Sequence, residues 1–130
     1  MMNHESILAG KRILVVEDEM LAALELADIL ESRDCLVVGP AGTLRDALPL
    51  AQSDEYDIAI LDITLRDGEV FPLAEWLRDN GKPFIFATAY GSSAGLPDGF
   101  SGSVLIPKPY PERQLVQALC GVAGQAGQSA

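Results

Sequence analysis

Tyr56-Asp57-Ile58-Ala59-Ile60-Leu61-Asp62 is the stretch that decides the fold of this 130-residue chain. From Ile58 to Leu61 the run is apolar without a break, and it ends on an acid. Continuous Ile, Ala and Leu with no polar face predicts a strand covered on both sides, as in a parallel sheet between helices. A carboxylate at the carboxyl end of such a strand lies where open α/β sheets place their ligands. Asp62 has company. Arg12-Ile13-Leu14-Val15-Val16 ends on Glu17-Asp18, and two later apolar runs end near Thr88 and at Lys108. In one sheet, these ends bring three acids, a hydroxyl and an amine to the same edge.

Outward from that run, strand and helix patterns alternate, the signature of βαβ units. Residues 19–32 predict a first helix with Met20, Leu24, Ala27 and Leu30 on its apolar face, widened by Ala22, Leu26 and Ile29. Cys35-Leu36-Val37-Val38-Gly39 predicts a second strand, closed by Pro40. Thr43 is the expected N-cap of a second helix, with Asp46 three residues on. Leu44, Ala47, Leu48 and Ala51 form its apolar face, and Pro49 inside it predicts a kinked or short helix. A third helix is expected over 69–80, with Pro72 in its first turn and Asn80-Gly81 at its end. Phe84 to Thr88 and Val104 to Ile106 predict the fourth and fifth strands. A last helix starts near Pro111-Glu112 and buries Leu115, Leu119 and Val122. Tyr90 to Gly99 carries Gly, Ser and Pro but little helical pattern, so a helix there is expected to be short or the segment mobile. Residues 1–10 and 124–130 read as flexible ends around one domain.

Composition narrows the function. Apolar residues make up 48% of the chain, which suits a single buried core. A net charge of −10 argues against sequence-independent nucleic-acid binding and against docking on an anionic membrane. Cys35 and Cys120 have no metal spacing and read as buried small hydrophobes in a reducing setting. The start lacks the apolar core of a signal peptide, and no apolar run nears the ~20 residues of a membrane span, so a cytoplasmic protein is expected. His4, the lone histidine, has no partner nearby in sequence and reads as inert.

The set Glu17-Asp18, Asp62, Thr88 and Lys108-Pro109, in that order on successive strands, resembles the receiver domain of two-component response regulators, over roughly residues 11–123. The resemblance implies a flavodoxin-like (βα)5 fold, a doubly wound parallel sheet of order 2-1-3-4-5. It also implies a stand-alone signalling protein that turns over no outside substrate and catalyses only its own magnesium-dependent phosphorylation and dephosphorylation.

Asp62 would be the phosphoacceptor, a carboxylate nucleophile forming an acyl phosphate. Such a centre calls for a divalent cation, magnesium or alternatively manganese, which favours carboxylate oxygens and waters. By the resemblance, Asp18 would hold the metal directly, Glu17 mainly through water, and Asp62 and the backbone carbonyl of Thr64 would complete the protein ligands. Lys108 would pair with a phosphoryl oxygen and Thr88 would donate its hydroxyl to another. The implied partner is a histidine kinase or a histidine phosphotransfer protein, with a downstream protein partner and no further cofactor. Asp57, at the far end of its strand, reads as a solvated charge. Glu19 begins the first helix, where an acid favours the dipole, and is not assigned to metal.

Several positions depart from the common receiver pattern. Glu17 stands where many receivers have Asp. Leu105 occupies the place of the usual aromatic switch, three residues before Lys108. Phe86-Ala87-Thr88-Ala89-Tyr90 resembles the subclass named for a Phe-Ala-Thr-Gly motif (FATGUY), with Ala89 for the glycine, and makes Tyr90 a switch candidate or a shield against hydrolytic water. The Asp62-Ile63-Thr64-Leu65-Arg66-Asp67-Gly68 loop lacks the common Met-Pro step. The rivals are a phosphorylation-independent docking module, an aspartyl-phosphate phosphatase and a flavin or nucleotide binder. Thr64 stands where a haloacid-type phosphatase places its second Asp, and the turn after the first strand offers acids where a phosphate-binding loop offers glycines.

Overall fold

A computed structural model describes residues 7–89 and 96–128, the last four without their side chains. His4, Tyr90 and the Gly91–Gly95 part of the glycine-rich segment lie outside the described residues. The elements are β1 (Arg12–Val16), α1 (Met20–Ser32), β2 (Leu36–Ala41), α2 (Leu44–Gln52), β3 (Ile58–Asp62), β4 (Thr64–Leu65), β5 (Gly68–Glu69), α3 (Phe71–Asp79), β6 (Phe84–Thr88), β7 (Leu105–Pro107) and α4 (Glu112–Gln128). The short β4 and β5 pair as an antiparallel hairpin. The other five strands make one parallel sheet of order β2-β1-β3-β6-β7. With the hairpin set aside, this is the expected 2-1-3-4-5 order of the flavodoxin-like fold.

Alternate side chains of the central strands enter two apolar layers. Ile13, Val15, Ile58, Ile60, Ile85 and Ile106 pack with Leu26 and Leu30 of α1 and Leu115 and Leu119 of α4. Leu14, Val16, Ala59, Leu61 and Phe86 pack with Ala47 and Ala51 of α2 and Leu73, Ala74 and Leu77 of α3. Both faces are covered, so β3 shows no polar alternation and all five of its residues are buried.

The register brings the functional ends together. Val16 pairs with Leu61, Asp62 with Ala87, and Thr88 with Pro107. Asp62, Thr88 and Lys108 therefore leave their strands on successive rungs of the same edge.

The structure corrects several local readings. Met20 and Leu24 face solvent, and the buried stripe of α1 is Ala23, Leu26 and Leu30. The helix carries overlapping apolar stripes, and only the sheet selects one. β2 runs on through Pro40 to Ala41 rather than closing before it; as an edge strand it tolerates the missing donor, and its register to β1 shifts there. Gly39, at φ +97°, passes too close to the Val15 carbonyl for a side chain, a Cβ there lying 3.0 Å away. Leu8 is wholly buried in the α1–α4 layer, so the ordered chain begins before residue 11. α4 continues in helical form to Gln128, beyond the expected end near 124. Cys35 and Cys120 are buried, as expected, and are not joined in a disulfide. Among the described residues no helix is long and apolar enough to cross a membrane.

In the described part of the β6–β7 crossover, regular structure is a single 3-10 turn, Asp98–Phe100. Phe100 anchors it in an aromatic cluster, stacked on Phe71 at 5.8 Å and edge-on to Phe86 at 5.6 Å, with the Arg78 guanidinium 5.0 Å from its ring centre. Phe100→Ala is expected to lower stability by about 3–5 kcal/mol, the range for a buried aromatic truncation, read as a shift in the urea midpoint at unchanged slope.

Asp57 is also more than a solvated charge. It accepts from the Arg12 main-chain N–H at 2.8 Å and from Nε and Nη2 at 3.3 Å each, while its own N–H donates to the Arg12 carbonyl at 2.7 Å. Partial burial opposes its charge, but the Arg12 side-chain and main-chain hydrogen bonds outweigh that and hold its pKa below the ordinary value. The stabilisation is therefore complete above the unfolded carboxyl value of about 4 and fades as pH falls through the lower folded value. Asp57→Asn is expected to cost about 0.5–1 kcal/mol at neutral pH, typical of a part-exposed pair, with the gap to wild type closing in acid denaturation.

Candidate functional site

Glu17 follows β1 directly, and its N–H donates to the Ala41 carbonyl at 2.9 Å, which fixes the start of the β1–α1 turn. Its side chain is fully buried. Asp62 ends β3 and is 5% exposed; Thr88 ends β6 and is 6% exposed. Lys108 leaves β7, its N–H donating to the Thr88 carbonyl at 2.9 Å, so the hydroxyl and the amine belong to neighbouring rungs of one ladder.

Lys108 Nζ donates to Glu17 Oε1 at 2.9 Å, Glu17 Oε2 at 3.2 Å and Asp62 Oδ2 at 3.1 Å. Ligand oxygens of Glu17, Asp18 and Asp62 all lie within 4.8 Å of one another. Two of these three carboxyl groups therefore share one lysine. Burial foremost, and then contact with Asp62, push the Glu17 carboxyl up to about 8 against the pull of Lys108. Burial and then the charge of Asp62 raise Asp18 as well. Burial opposes the Lys108 ammonium, yet its bonds to Glu17 and Asp62 reverse that and keep its pKa raised. Lys108 remains the cation of the cluster.

The donor set fits a hard divalent cation. Three carboxylate oxygens with a deficit of positive charge suit magnesium or manganese and offer nothing to a soft metal.

The loop after Asp62 is held from several sides. Ile63 N–H donates to the Ala87 carbonyl at 3.1 Å, and Val70 N–H to the Ile63 carbonyl at 2.8 Å. Thr64 opens the hairpin and is exposed; Leu65 is buried. Asp67 reaches α2, accepting from the N–H groups of Leu44 at 2.7 Å and Arg45 at 3.1 Å, while Thr43 Oγ1 caps Asp46 N–H at 3.0 Å as expected. Arg66 donates from Nη2 to the Asp18 main-chain carbonyl at 3.4 Å. Sequence reading passed over both Arg66 and Asp67. Nothing local showed which helix or loop this stretch would meet.

Five residues of the sequence set, Glu17, Asp18, Asp62, Thr88 and Lys108, thus meet at one sheet edge. Leu105, at the aromatic-switch place, is part-buried beside Phe86 in the aromatic layer. Glu19 stays outside the carboxylate cluster as the first cap residue of α1.

A doubly wound sheet with a carboxylate cluster and a lysine at its carboxyl edge defines a class of signalling domain, and sequence comparison agrees. The family profile of the response regulator receiver domain matches residues 13–120, and the chain belongs to that family. The sensory transduction protein LytT of Bacillus anthracis is 37% identical over 111 residues, covering 83% of this chain and 45% of that protein. The transcriptional regulatory protein PdtaR of Mycobacterium tuberculosis is 32% identical over 111 residues, covering 75% of this chain and 54% of that protein. The chain spans about half the length of these relatives. Among solved structures, SdrG from Sphingomonas melonis Fr1 superposes with a TM-score of 0.77 at 35% identity, over 93% of this chain and 98% of that one. The response regulator PhyR from Brucella abortus gives a TM-score of 0.80 at 27% identity, over 97% of this chain and 53% of that one.

Crowding of the three carboxylates sets a test. Asp18→Asn is expected to raise the thermal midpoint in chelator by about 3–5 °C, corresponding to ~1 kcal/mol of relieved repulsion, and to abolish the upward shift that magnesium gives the wild type.

Proposed function

We propose that this receiver accepts a phosphoryl group on Asp62 from the histidine of a kinase or phosphotransfer protein and signals or relays through protein contacts. The observation that carries this reading is Asp62 itself, nearly buried at the end of β3 with Lys108 Nζ at 3.1 Å and two more acids beside it. An Asp62 carboxylate oxygen attacks phosphorus, the bond from phosphorus to the donor nitrogen breaks, and the imidazole leaves with that electron pair. Bound magnesium supplies charge neutralisation for the phosphoryl oxygens. Asp18, Asp62 and the Thr64 carbonyl would hold it, with Glu17 acting through water.

Lys108 is already aimed at the Asp62 carboxylate, so it meets one phosphoryl oxygen without leaving its ladder position. The Thr88 hydroxyl takes another. Glu17, which shares Lys108 with Asp62, keeps the ammonium in place while Asp62 changes its chemistry. Tyr90, two residues past Thr88, is proposed to sit along the route of hydrolytic water or to move with Thr88.

A donor must cover the rim of the site to deliver its phosphoryl group. Met20, Leu21 and Leu24 of α1 are 74%, 79% and 58% exposed, the largest such group on the described surface, and Glu19 alone separates them in sequence from the acid pair. A groove of about 280 Å³ separates Leu21 and Ala22 from Ala89 and Lys108–Tyr110. We assign donor docking to this apolar rim.

Intact mass after incubation with acetyl phosphate and magnesium tests the acceptor. A gain of one phosphoryl group in wild type, absent in Asp62→Asn and in chelator, is expected; no gain from acetyl phosphate or from a kinase would leave a docking module that works without phosphorylation. Leu21→Glu is expected to slow transfer from a kinase by about tenfold or more, as for loss of a central interface anchor, and to leave labelling by acetyl phosphate unchanged.

A further inference from the structure

Arg66 is unlike the other exposed basic residues of this chain. Its neighbours fix its backbone on both sides: Leu65 is buried in the α2–α3 layer, and Asp67 is hydrogen-bonded to the start of α2 at 2.7 and 3.1 Å. Its guanidinium crosses to the β1–α1 turn and donates to the Asp18 carbonyl at 3.4 Å. Gly42 leaves the room for this crossing, since a Cβ there would lie 3.4 Å from Arg66 Nη2 and 3.4 Å from Asp18 Cα. Among the described residues Arg66 forms no ion pair, in a chain with 19 acids against 9 lysines and arginines.

The site to which Asp18 belongs has the opposite imbalance, three carboxyl groups within 4.8 Å of one another and one lysine bonded to two of them. Lys108 lies inside and is occupied by Glu17 and Asp62. Arg66 lies at the outer margin, beside the backbone of one of the acids that would hold the metal. A guanidinium offers a planar fork that suits phosphoryl oxygens, and it keeps its charge at all working pH values. The same charge opposes a divalent cation nearby.

We propose that Arg66 is a specificity-determining residue of the phosphoryl-transfer site: it draws in doubly charged phosphoryl donors and weakens magnesium binding at Asp18. The inference rests on Asp62 being the phosphoacceptor. Its two effects have opposite signs on removal of the charge. A residue that merely pinned the hairpin would, when removed, loosen the loop and weaken metal and donor together.

Arg66→Gln and Arg66→Lys, compared with wild type, test the proposal. Labelling rates are measured with acetyl phosphate, a dianion at neutral pH, and with phosphoramidate, a monoanion, and magnesium affinity by calorimetry. For Arg66→Gln we expect acetyl phosphate labelling about two- to fivefold slower, a smaller change with phosphoramidate, and tighter magnesium binding, all fading at high salt. Arg66→Lys should restore most of both effects. Equal slowing with both donors together with weaker magnesium binding overturns the proposal, and so does no change in either. If wild type takes no phosphoryl group from any donor, the acceptor reading of Asp62 falls; an unchanged magnesium affinity then removes the charge role of Arg66 as well.

Discussion

Lys108 is the hinge on which the arrangement of the site depends. Three carboxylates within 4.8 Å of one another repel in a nearly dry sheet edge, and the lysine ammonium, bonded to Glu17 and Asp62, is the cation that offsets them. Buried charges of this kind persist only when paired, and removing one member leaves the others costly. The pairing still leaves negative charge in excess. That excess is the physical basis for a divalent cation, and it gives the folded chain a site that is less comfortable empty than filled. Stability and chemical readiness oppose each other here, as they do wherever like charges are gathered for function.

The sheet makes this gathering possible. Parallel strands with helices on both faces end together, so residues from four distant parts of the chain arrive within a few rungs of one another at one edge. Beside that edge lies the short β4–β5 hairpin. Asp67 locks it to α2 and Arg66 lays it against the β1–α1 turn, which ties the loop carrying Thr64 to the loop carrying Asp18. On the far side, β6 links Thr88 to Phe86, and Phe86 to the Phe71–Phe100 cluster that anchors the end of the crossover. The aromatic mass of this receiver thus sits beneath Leu105 and not at the Leu105 position itself.

Much of the fold was legible in the chain because its signals are local. Unbroken apolar runs ending on charged residues marked the strands of the parallel sheet, Thr43 marked its helix start, and Asn80-Gly81 marked a helix end. Where local signals overlapped, the reading went astray. In α1, Met20, Leu24, Ala27 and Leu30 are spaced as well for burial as Ala23, Leu26 and Leu30, and only contact with the sheet chooses the second set. Leu8 lay in a polar terminus without periodicity, so its burial had no sequence signal. Asp57 looked free because its partner, Arg12, is forty-five residues away in the chain.

Residue type and runs of a few residues were enough to read the alternation of strand and helix, the two-sided burial of β3, and the position of Glu17, Asp18, Asp62, Thr88 and Lys108 at or just past strand ends. Four contacts came from the folded arrangement alone: Glu17 holds Lys108 with both oxygens, Asp67 caps α2, Arg66 reaches the Asp18 carbonyl, and Phe100 closes the aromatic cluster. These contacts depend on strand register and on how helices settle across the sheet. Such quantities arise from the packing of the whole chain and leave no mark at any one position.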